Sequence, residues 1–324
     1  MLALQLGGVG CERPELISGT EPPERPALVI YDNDDVIDVY TDEYLMALAS
    51  AGDIRLAGTI TSSSVAPFNQ WVTAEDYERM VENRAEGVRR ALRSGFRSIP
   101  TPVRGPKGHL VRPASGRIED TRPLGSEGGR LIVAEANKLG AGDTLVIVMG
   151  GPLTAAADAY LQDPSIAGKL VIAWLGGTQG HMGDYNGWAD PWAAYIVLER
   201  LRLVQFPARE AGNEAAPRVP KDRLRELPPS ELREWMISKE HPNGLPAGRD
   251  ADSPPAIWLM RPDYVVETKR VSFGGWIQRN GRNLPAFRDD PGGHSIVVTR
   301  ADRQVATEEW WRALTNPAAW GRGE

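Results

Sequence analysis

Short apolar runs alternate with stretches of helical periodicity along most of the chain. Residues 144–149 (TLVIVM) and 169–175 (KLVIAWL) are continuous apolar runs, which are typical of strands buried on both faces. The predicted strands are 27–31, 54–61, 99–103, 144–149, 169–175, 201–206, 264–271 and 295–300. The predicted helices are 42–51, 73–94, 128–139, 155–161, one that begins at Pro191, 228–240, 251–260 and 307–315. This alternation predicts an α/β fold with a single domain, in which a mostly parallel open sheet carries helices on both faces.

Local signals predict where several helices begin and end. Thr73 is a predicted N-cap, because its hydroxyl can accept a hydrogen bond from the first turn. Gly52 is a predicted C-cap, and Pro191 stands at the first position of a helix. Residues 104–127 and 285–294 are rich in turn-forming residues and show no apolar period, so we expect loops there.

The composition limits the functional classes. The chain has 324 residues, of which 41% are hydrophobic and 25% charged, so it can bury a large core. The net charge of -6 argues against a protein that binds nucleic-acid backbones, since such proteins present a basic face. No apolar run approaches the length of a membrane span. Cys11 is the single cysteine, which excludes a disulfide within the chain and a cysteine-rich zinc site.

The N-terminal residues are predicted to precede the domain. We expect an irregular leader or residual signal segment over residues 1–26 and the α/β domain over residues 27–324. Residues 1–10 are uncharged and end in small residues before Cys11, which resembles the tail of a lipoprotein signal. Against this, the segment is short and lacks a basic region. The expectation is a cytoplasmic protein, and the alternative is an exported lipoprotein anchored through Cys11.

A cluster of acids follows the first predicted strand. Residues 28–41 read LVIYDNDDVIDVYT, so an apolar run is followed at once by Asp32, Asp34, Asp35 and Asp38. In open α/β sheets, ligands bind at the carboxyl ends of the strands. Carboxylates crowded at one strand end repel each other unless a cation or sugar hydroxyls lie between them. We therefore predict the functional site at this strand end.

Several motifs, taken in order, resemble the inosine–uridine nucleoside hydrolase superfamily. They are the D-x-D-x-x-x-D of Asp32, Asp34 and Asp38, the GTIT of residues 58–61, the segment 146–177 with its G-P-L-T turn and final Gly-Gly, and the segment 184–198 (DYNGWADPWAAYIVL). Late in the chain, Asp252 followed by an apolar helix and Arg261-Pro262 resembles the acidic segment that closes the family's site. The resemblance covers most of residues 27–300 and implies a nucleoside hydrolase-like fold.

The resemblance also implies a Ca²⁺ ion that holds the ribose diol and the attacking water. The positions that match metal ligands are Asp34, Asp38, Gly150 (through its carbonyl) and Asp252. The positions that match or could serve as substrate-binding residues are Asp38, Asp184, Asn186, Trp188 and Trp258. Asp34 would take the proton from water, and His181 is a candidate acid for the leaving base. Hard oxygen ligands suit calcium, and a cation-bound water is easier to deprotonate.

Three departures from the family pattern leave alternatives open. The second of two adjacent acids, a calcium ligand, falls on Val39, and Asp35 stands where the family usually has proline. The family's catalytic histidine falls on Ala251. Losing one carboxylate should weaken calcium binding unless Asp35 substitutes. Losing the histidine removes an acid for the leaving base, which stacking on Trp188 or Trp258 could replace.

Each candidate also has a purely structural alternative. An aspartate before a helix can be an ordinary N-cap, a polar residue can simply hold its loop, and a tryptophan can be a core residue. The residues to which these alternatives apply are Asp34, Asp38, Asp252, Asp184, Asn186, Trp188, Trp258 and, as a surface loop residue, His181.

The sequence therefore predicts a hydrolase that cleaves the N-glycosidic bond of ribonucleosides or related N-ribosides, with Ca²⁺ as cofactor and a role in nucleoside salvage. The alternative is a catalytically impaired nucleoside- or sugar-binding member of the same fold, which Val39 and Ala251 would suit. A third reading is a hydrolase of another glycoside, such as a cell-surface polymer, if Cys11 is lipidated. The resemblance suggests a homo-oligomer, and we expect neither a nucleic-acid partner nor a membrane span.

Overall fold

A computed structural model describes residues 21–24, 26–34, 40–66, 68–239 and 250–321. Its strands are β1 (Ala27–Asn33), β2 (Ile54–Thr61), β3 (Val103–Arg104), β4 (Leu145–Met149), β5 (Leu170–Leu175), β6 (Arg202–Phe206), β7 (Val265–Arg279), β8 (Arg282–Asp289) and β9 (Ser295–Ala301). Its α-helices are α1 (Thr41–Ala51), α2 (Ala74–Arg93), α3 (Glu127–Asn137), α4 (Thr154–Gln162), α5 (Tyr185–Ala189), α6 (Pro191–Arg200), α7 (Lys221–Leu224), α8 (Glu231–Ser238), α9 (Pro254–Met260) and α10 (Arg303–Thr315). A π-helix spans Ala208–Glu214.

Within the described residues the strands form one nine-stranded sheet in the order β3-β2-β1-β4-β5-β6-β9-β7-β8. Strands β1 to β6 and β9 run parallel, whereas β7 pairs antiparallel with both β9 and β8. The chain proceeds outward from β1 to β3 on one side and from β4 to β6 on the other. The switch point therefore lies between β1 and β4, where open sheets of this kind form their binding crevice.

Two apolar layers cover the two faces of the sheet. Successive residues of β1 alternate between them, with Val29 and Tyr31 in one layer and Ile30 in the other. The first layer includes apolar residues of α1, α9 and α10, and the second includes those of α3, α4 and α6. The central strands are thus buried on both sides, and the predicted α/β class with helices on both faces is confirmed.

The local signals in the sequence are confirmed at several helix ends. Thr73 accepts a hydrogen bond from the backbone of Asp76, whose side chain accepts in return, so that α2 begins with a complete capping box. Gly52 ends α1 in the left-handed conformation at φ 82°. Pro191 opens α6, one residue after the N-cap Asp190.

Two of the corrections that the structure makes to the sequence-based prediction concern a loop and a short strand. The loop predicted over residues 285–294 contains most of β8, whose residues pair with β7 in a long hairpin. Pro285 is tolerated there because β8 is the edge strand, where a missing N–H leaves no ladder bond unmade. The strand predicted over residues 99–103 is reduced to the two residues of β3.

The described helices include none that is long and apolar enough to cross a bilayer. Residues 1–20, which include Cys11, lie outside the described residues. The leader and the lipid-anchor alternative therefore stay predictions.

Candidate functional site

The carboxyl ends of β1 and β4 meet at the switch point of the sheet. Asp32 is the register partner of Met149, and the N–H of Gly150 donates to the Asp32 carbonyl over 2.9 Å. Asn33 and Asp34 follow, and all three polar residues after Tyr31 are buried. Polar side chains are seldom buried unless they have a structural or functional role, so this strand end is the first part of the candidate site.

Asp252 reaches the same place from the last third of the chain. A Cβ atom on Gly150 would lie 2.8 Å from Asp252 Oδ2 and 3.0 Å from Asn33 Nδ2. A Cβ atom on Gly151 would lie 2.9 Å from the backbone nitrogen of Asp34. The Gly150–Gly151 turn therefore packs between Asp34 and Asp252, and the absence of side chains there lets both carboxyl-bearing residues approach.

Neither Asp34 nor Asp252 is the N-cap residue of the helix that follows it. The N-cap of α9 is Ser253 and that of α1 is Tyr40, and neither helix has a side-chain cap bond. Asn33 Nδ2 lies 3.4 Å from Asp252 Oδ2, so a side chain of β1 contacts the late aspartate directly. The two aspartates are held at the sheet edge by this packing.

Asp32 lies behind them as a fully buried carboxyl group. Ser62 donates from its hydroxyl to Asp32 Oδ2 over 2.8 Å, while Asp32 Oδ1 is buried and accepts no hydrogen bond from the described residues. Burial raises the pKa of Asp32 to about 7, against the opposing influence of Ser62 and the Arg84 charge. Burial therefore favours the neutral form of this carboxyl at the end of β1.

The short helix α5 closes one side of the crevice. Asn186 Nδ2 donates to the carbonyl of Gly150 over 2.7 Å and to that of Leu175 over 3.0 Å. Asp184 is the N-cap of α5 and accepts from the N–H of Gly187 over 3.0 Å. Burial raises the pKa of Asp184 to about 6. Both residues stabilise the loop that contains α5. Asn186 does so through its hydrogen bond to the Gly150 carbonyl.

An aromatic cleft of about 180 Å³ opens beside α5. Its lining includes Trp71, Asp184, Tyr185 and Trp188, so two of the predicted substrate-binding residues share it. The ring of Trp71, which is 60% exposed, lies 4.9 Å from that of Trp188 and 5.9 Å from that of Tyr185. The Arg282 guanidinium covers one face of the Trp188 ring at 3.4 Å, so the exposed ring of Trp71 offers the clearest flat face on which a planar group can stack.

The sequence around this site matches a described protein family. The match is to the inosine-uridine preferring nucleoside hydrolases and extends over residues 29–238, which is more than half of the chain. The chain belongs to this family. The comparison with curated proteins gave no match.

Solved nucleoside hydrolases share the fold. An inosine-guanosine nucleoside hydrolase is 17% identical with a TM-score of 0.62, over 89% of this chain and 98% of that chain. A plant nucleoside hydrolase is 17% identical with a TM-score of 0.63, over 90% and 100% of the two chains. A purine-preferring ribonucleoside hydrolase from Gardnerella vaginalis is 15% identical with a TM-score of 0.62, over 90% and 99%.

Two other predicted site residues have surroundings that differ from the prediction: Trp258 lies in the core, and His181 contacts Gly183 and Arg279, which both line the aromatic cleft. Trp258 is 1% exposed and packs in the core near Phe206, so it has no face on which a base could stack. His181 contacts the β7–β8 hairpin: its Nδ1 accepts from the N–H of Gly183, and its Nε2 lies 2.7 Å from Arg279. Burial and the Arg279 charge lower the pKa of His181, and donors that face both ring nitrogens oppose protonation.

The donors at the centre of the site are hard oxygens. The Asp252 carboxylate lies beside Gly150, and the backbone nitrogen and Cβ of Asp34 lie beside Gly151. Within the part of the chain that the structure describes, no three His, Cys, Asp or Glu side chains lie close enough together to hold a metal. Asp38, like Asp35 and Val39, lies outside the described residues. The donor chemistry fits a calcium-type cation, and the described residues supply two carboxylates toward it.

Several residues of the site were not singled out from the sequence. Asn33, Ser62, Trp71 and Tyr185 all contact predicted site residues. Ser62 belongs to the polar loop that follows β2 at the same edge of the sheet. Trp71 carries no local signal, because its position beside α5 depends on the packing of distant loops.

Proposed function

We propose that the protein hydrolyses the N-glycosidic bond of ribonucleosides or related N-ribosides. The observation that carries the proposal is the approach of Asp34 and Asp252 to the same glycine turn at the switch point of the sheet. Membership of the nucleoside hydrolase family supports the same reaction class. A ribonucleoside supplies both groups that the site is suited to hold, a polar sugar for the carboxylates and a planar base for the aromatic cleft.

In this proposal Asp34 accepts the proton of the attacking water. It is buried and lies next to the crevice floor, where a carboxylate can orient a water molecule and act as a general base. Asp38, Asp184 and Asn186 hold the hydroxyls of the ribosyl group. The oxocarbenium-like character that develops on the sugar is stabilised by the negative charge around it.

The site is also proposed to hold Ca²⁺ through Asp34, Asp38, Asp252 and the Gly150 carbonyl. When bound, the ion supplies a positive charge that lowers the pKa of a coordinated water. The Gly150 carbonyl already accepts from Asn186, but a carbonyl oxygen has two lone pairs and can serve a second partner. Asn186 thereby positions the carbonyl.

The leaving base is proposed to stack against Trp188 and Trp71. Ala251 provides no acid, and the surroundings of His181 oppose a proton on its ring. Stacking in the aromatic cleft is then the interaction that the described residues offer to the base.

The test is release of ribose from a panel of purine and pyrimidine nucleosides with Ca²⁺ present. Asp34→Asn should lower kcat/KM by at least about 100-fold, since it removes the general base. Asp222→Asn, an exposed change of the same kind on α7, should leave turnover unchanged. Absence of ribose release from every nucleoside, or equal activity in Asp34→Asn, would contradict the proposal.

A second candidate is a nucleoside- or sugar-binding protein without turnover. It is favoured by Ala251 in place of a catalytic histidine and by the opposition to a protonated His181. Calorimetry with inosine and with ribose separates the two proposals. Binding that Trp188→Ala weakens, with no ribose released over hours, would favour the binding protein.

A further inference from the structure

A second cleft, of about 250 Å³, lies beside the β7–β8 hairpin. It is formed by the loop after β3, the start of α6 and the hairpin itself. Its aromatic and basic lining residues are Phe68, His109, Arg112, Trp192, Trp276 and Arg282. It shares no lining residue with the aromatic cleft beside α5, but the two clefts adjoin each other, because Arg282 lies 3.4 Å from the centroid of the Trp188 ring and donates to the Trp188 carbonyl.

The cleft is positively charged in a protein whose net charge is -6. Arg112 and Arg282 both line it, and none of the described lining residues is acidic. None of the ion pairs that the described residues form involves Arg112 or Arg282, although the Asp190 charge acts on the Arg282 guanidinium. This contrasts with the neighbouring Arg117, which lies 3.8 Å from Asp120. Two guanidinium groups that form no ion pair attract an anion from solution.

The walls of the cleft are planar. The rings of Trp192 and Trp276 stack at 6.1 Å with only 14° between their planes, and the guanidinium of Arg112 lies 5.3 Å and 4.9 Å from their centroids. Arg282 lies over the ring of Phe68 at 3.6 Å and donates to the backbone carbonyl of that residue. Flat apolar faces beside cationic groups suit a ring that carries a negative charge.

We propose that this cleft binds a small planar ligand with an anionic group, either a phosphate or a carboxylate. The ring of the ligand stacks on the half-buried Trp276, and the anion is bound by Arg112 and Arg282. Trp192 is only 4% exposed and packs behind the cleft as a core residue. The volume is below that of pockets for drug-sized ligands, so the ligand is no larger than a mononucleotide and is not a polymer chain. Binding here does not depend on N-glycosidic hydrolysis.

The experiment uses two matched pairs of ligands in calorimetry with the full chain. Inosine 5′-monophosphate is compared with inosine for the phosphate, and orotate with uracil for the carboxylate. In at least one pair the charged member should bind about tenfold more tightly or better, with an advantage that falls as salt increases. The pair that responds identifies which anion the cleft prefers.

Two variants locate the effect. Arg112→Gln should remove most of the advantage of the charged ligand, while Arg117→Gln removes the same charge from the same loop and should keep it. Both side chains are exposed, so both variants should fold. The inference is overturned if charged and neutral members bind equally in both pairs, if Arg112→Gln changes nothing, or if both variants lose affinity to the same extent. Ribose release measured on Arg112→Gln tests the hydrolase proposal separately, because Arg112 does not line the nucleoside site.

Discussion

At the scale of single residues, the size of each side chain at this site decides which neighbours can approach it. Gly150 is the clearest case, because its missing side chain allows Asp252 and Asn33 to approach from two sides. Asp34, Asp252 and Asp32 then bring negative charge to one buried strand end. The sequence showed these residue types, but the distance between Asp34 and Asp252 depends on a contact between the two ends of the domain.

Gly150→Ala tests the role of this space. Its Cβ would lie 2.8 Å from Asp252 Oδ2, so Asp252 must move, and we expect ribose release and calcium affinity each to fall at least about tenfold. Overpacking of this kind should also cost roughly 1–3 kcal/mol of stability. Gly168→Ala is the control, since its Cβ would have no neighbour within 4 Å. Equal behaviour of the two variants in kinetics and urea unfolding would count against the assignment.

A second residue-scale prediction concerns Glu43, a buried carboxyl of α1. Burial raises its pKa from 4.5 to about 7, and its Oε2 has no hydrogen-bond partner among the described residues. A folded-state pKa above the unfolded value means that the folded protein binds the extra proton, so the free energy of unfolding falls as pH rises from about 4.5 to 7. Glu43→Gln removes this titration. Relative to wild type it should therefore gain roughly 1–3 kcal/mol between pH 5 and pH 8.

Urea unfolding at the two pH values measures this gain. Glu82→Gln is the control, because Glu82 is an exposed residue of α2 and its substitution should have the same small effect at both pH values. A pH-independent difference between Glu43→Gln and wild type would show that Glu43 is ionised throughout.

At the scale of whole elements, a helix defined by local signals was predicted well, whereas a hairpin that depends on long-range pairing was predicted less well. Helix α2 begins and ends close to where its capping and periodicity predict, because those signals lie within the helix. The β7–β8 hairpin was only half predicted, because the strand character of residues 282–289 comes from pairing with β7. This hairpin supplies Arg279 to the aromatic cleft and Arg282 to the second cleft, so an element that was poorly predicted shapes both.

Two changes in α2 should shift stability in opposite directions. Gly87 lies inside the helix with space for a Cβ, so Gly87→Ala should stabilise by about 0.5–1 kcal/mol through reduced backbone entropy. Thr73→Ala removes the capping box and should destabilise by about 1 kcal/mol. Urea unfolding of both variants measures the effects. Destabilisation by Gly87→Ala would mean that the helix packs more tightly at that position than the structure shows.

At the scale of the molecule, the candidate site joins parts of the chain that no local signal connects. β1, the turn after β4, the helix after β5 and the segment before α9 all meet at the switch point of the sheet. A cation bound between these parts stabilises the folded state alone, because the unfolded chain holds them apart.

Calcium should therefore raise the thermal midpoint of the wild-type protein. At a concentration 100-fold above Kd the gain is about 2.7 kcal/mol. Asp252→Asn should abolish most of the shift, whereas Asp222→Asn should retain it. Differential scanning calorimetry with Ca²⁺ and with a chelator measures both. An unchanged midpoint in wild type, or an equal shift in Asp252→Asn, would contradict the proposed calcium site while leaving the family and fold assignments intact.

The sequence by itself determined the α/β class, most helix and strand positions and the strand end at which the acids lie. These follow from apolar periodicity, caps and turns, whose physical range is a few residues. Its motif order also pointed to the nucleoside hydrolase family, which the match over residues 29–238 confirms.

Only the tertiary structure decided which candidates lie together. It brought Asp252 to Gly150, placed Trp188 beside Trp71 and buried Trp258 in the core. It also turned His181 toward the hairpin and paired β8 with β7. The reason is that these outcomes depend on how layers pack and strands pair across the whole chain, and neither a motif nor a local period contains that information.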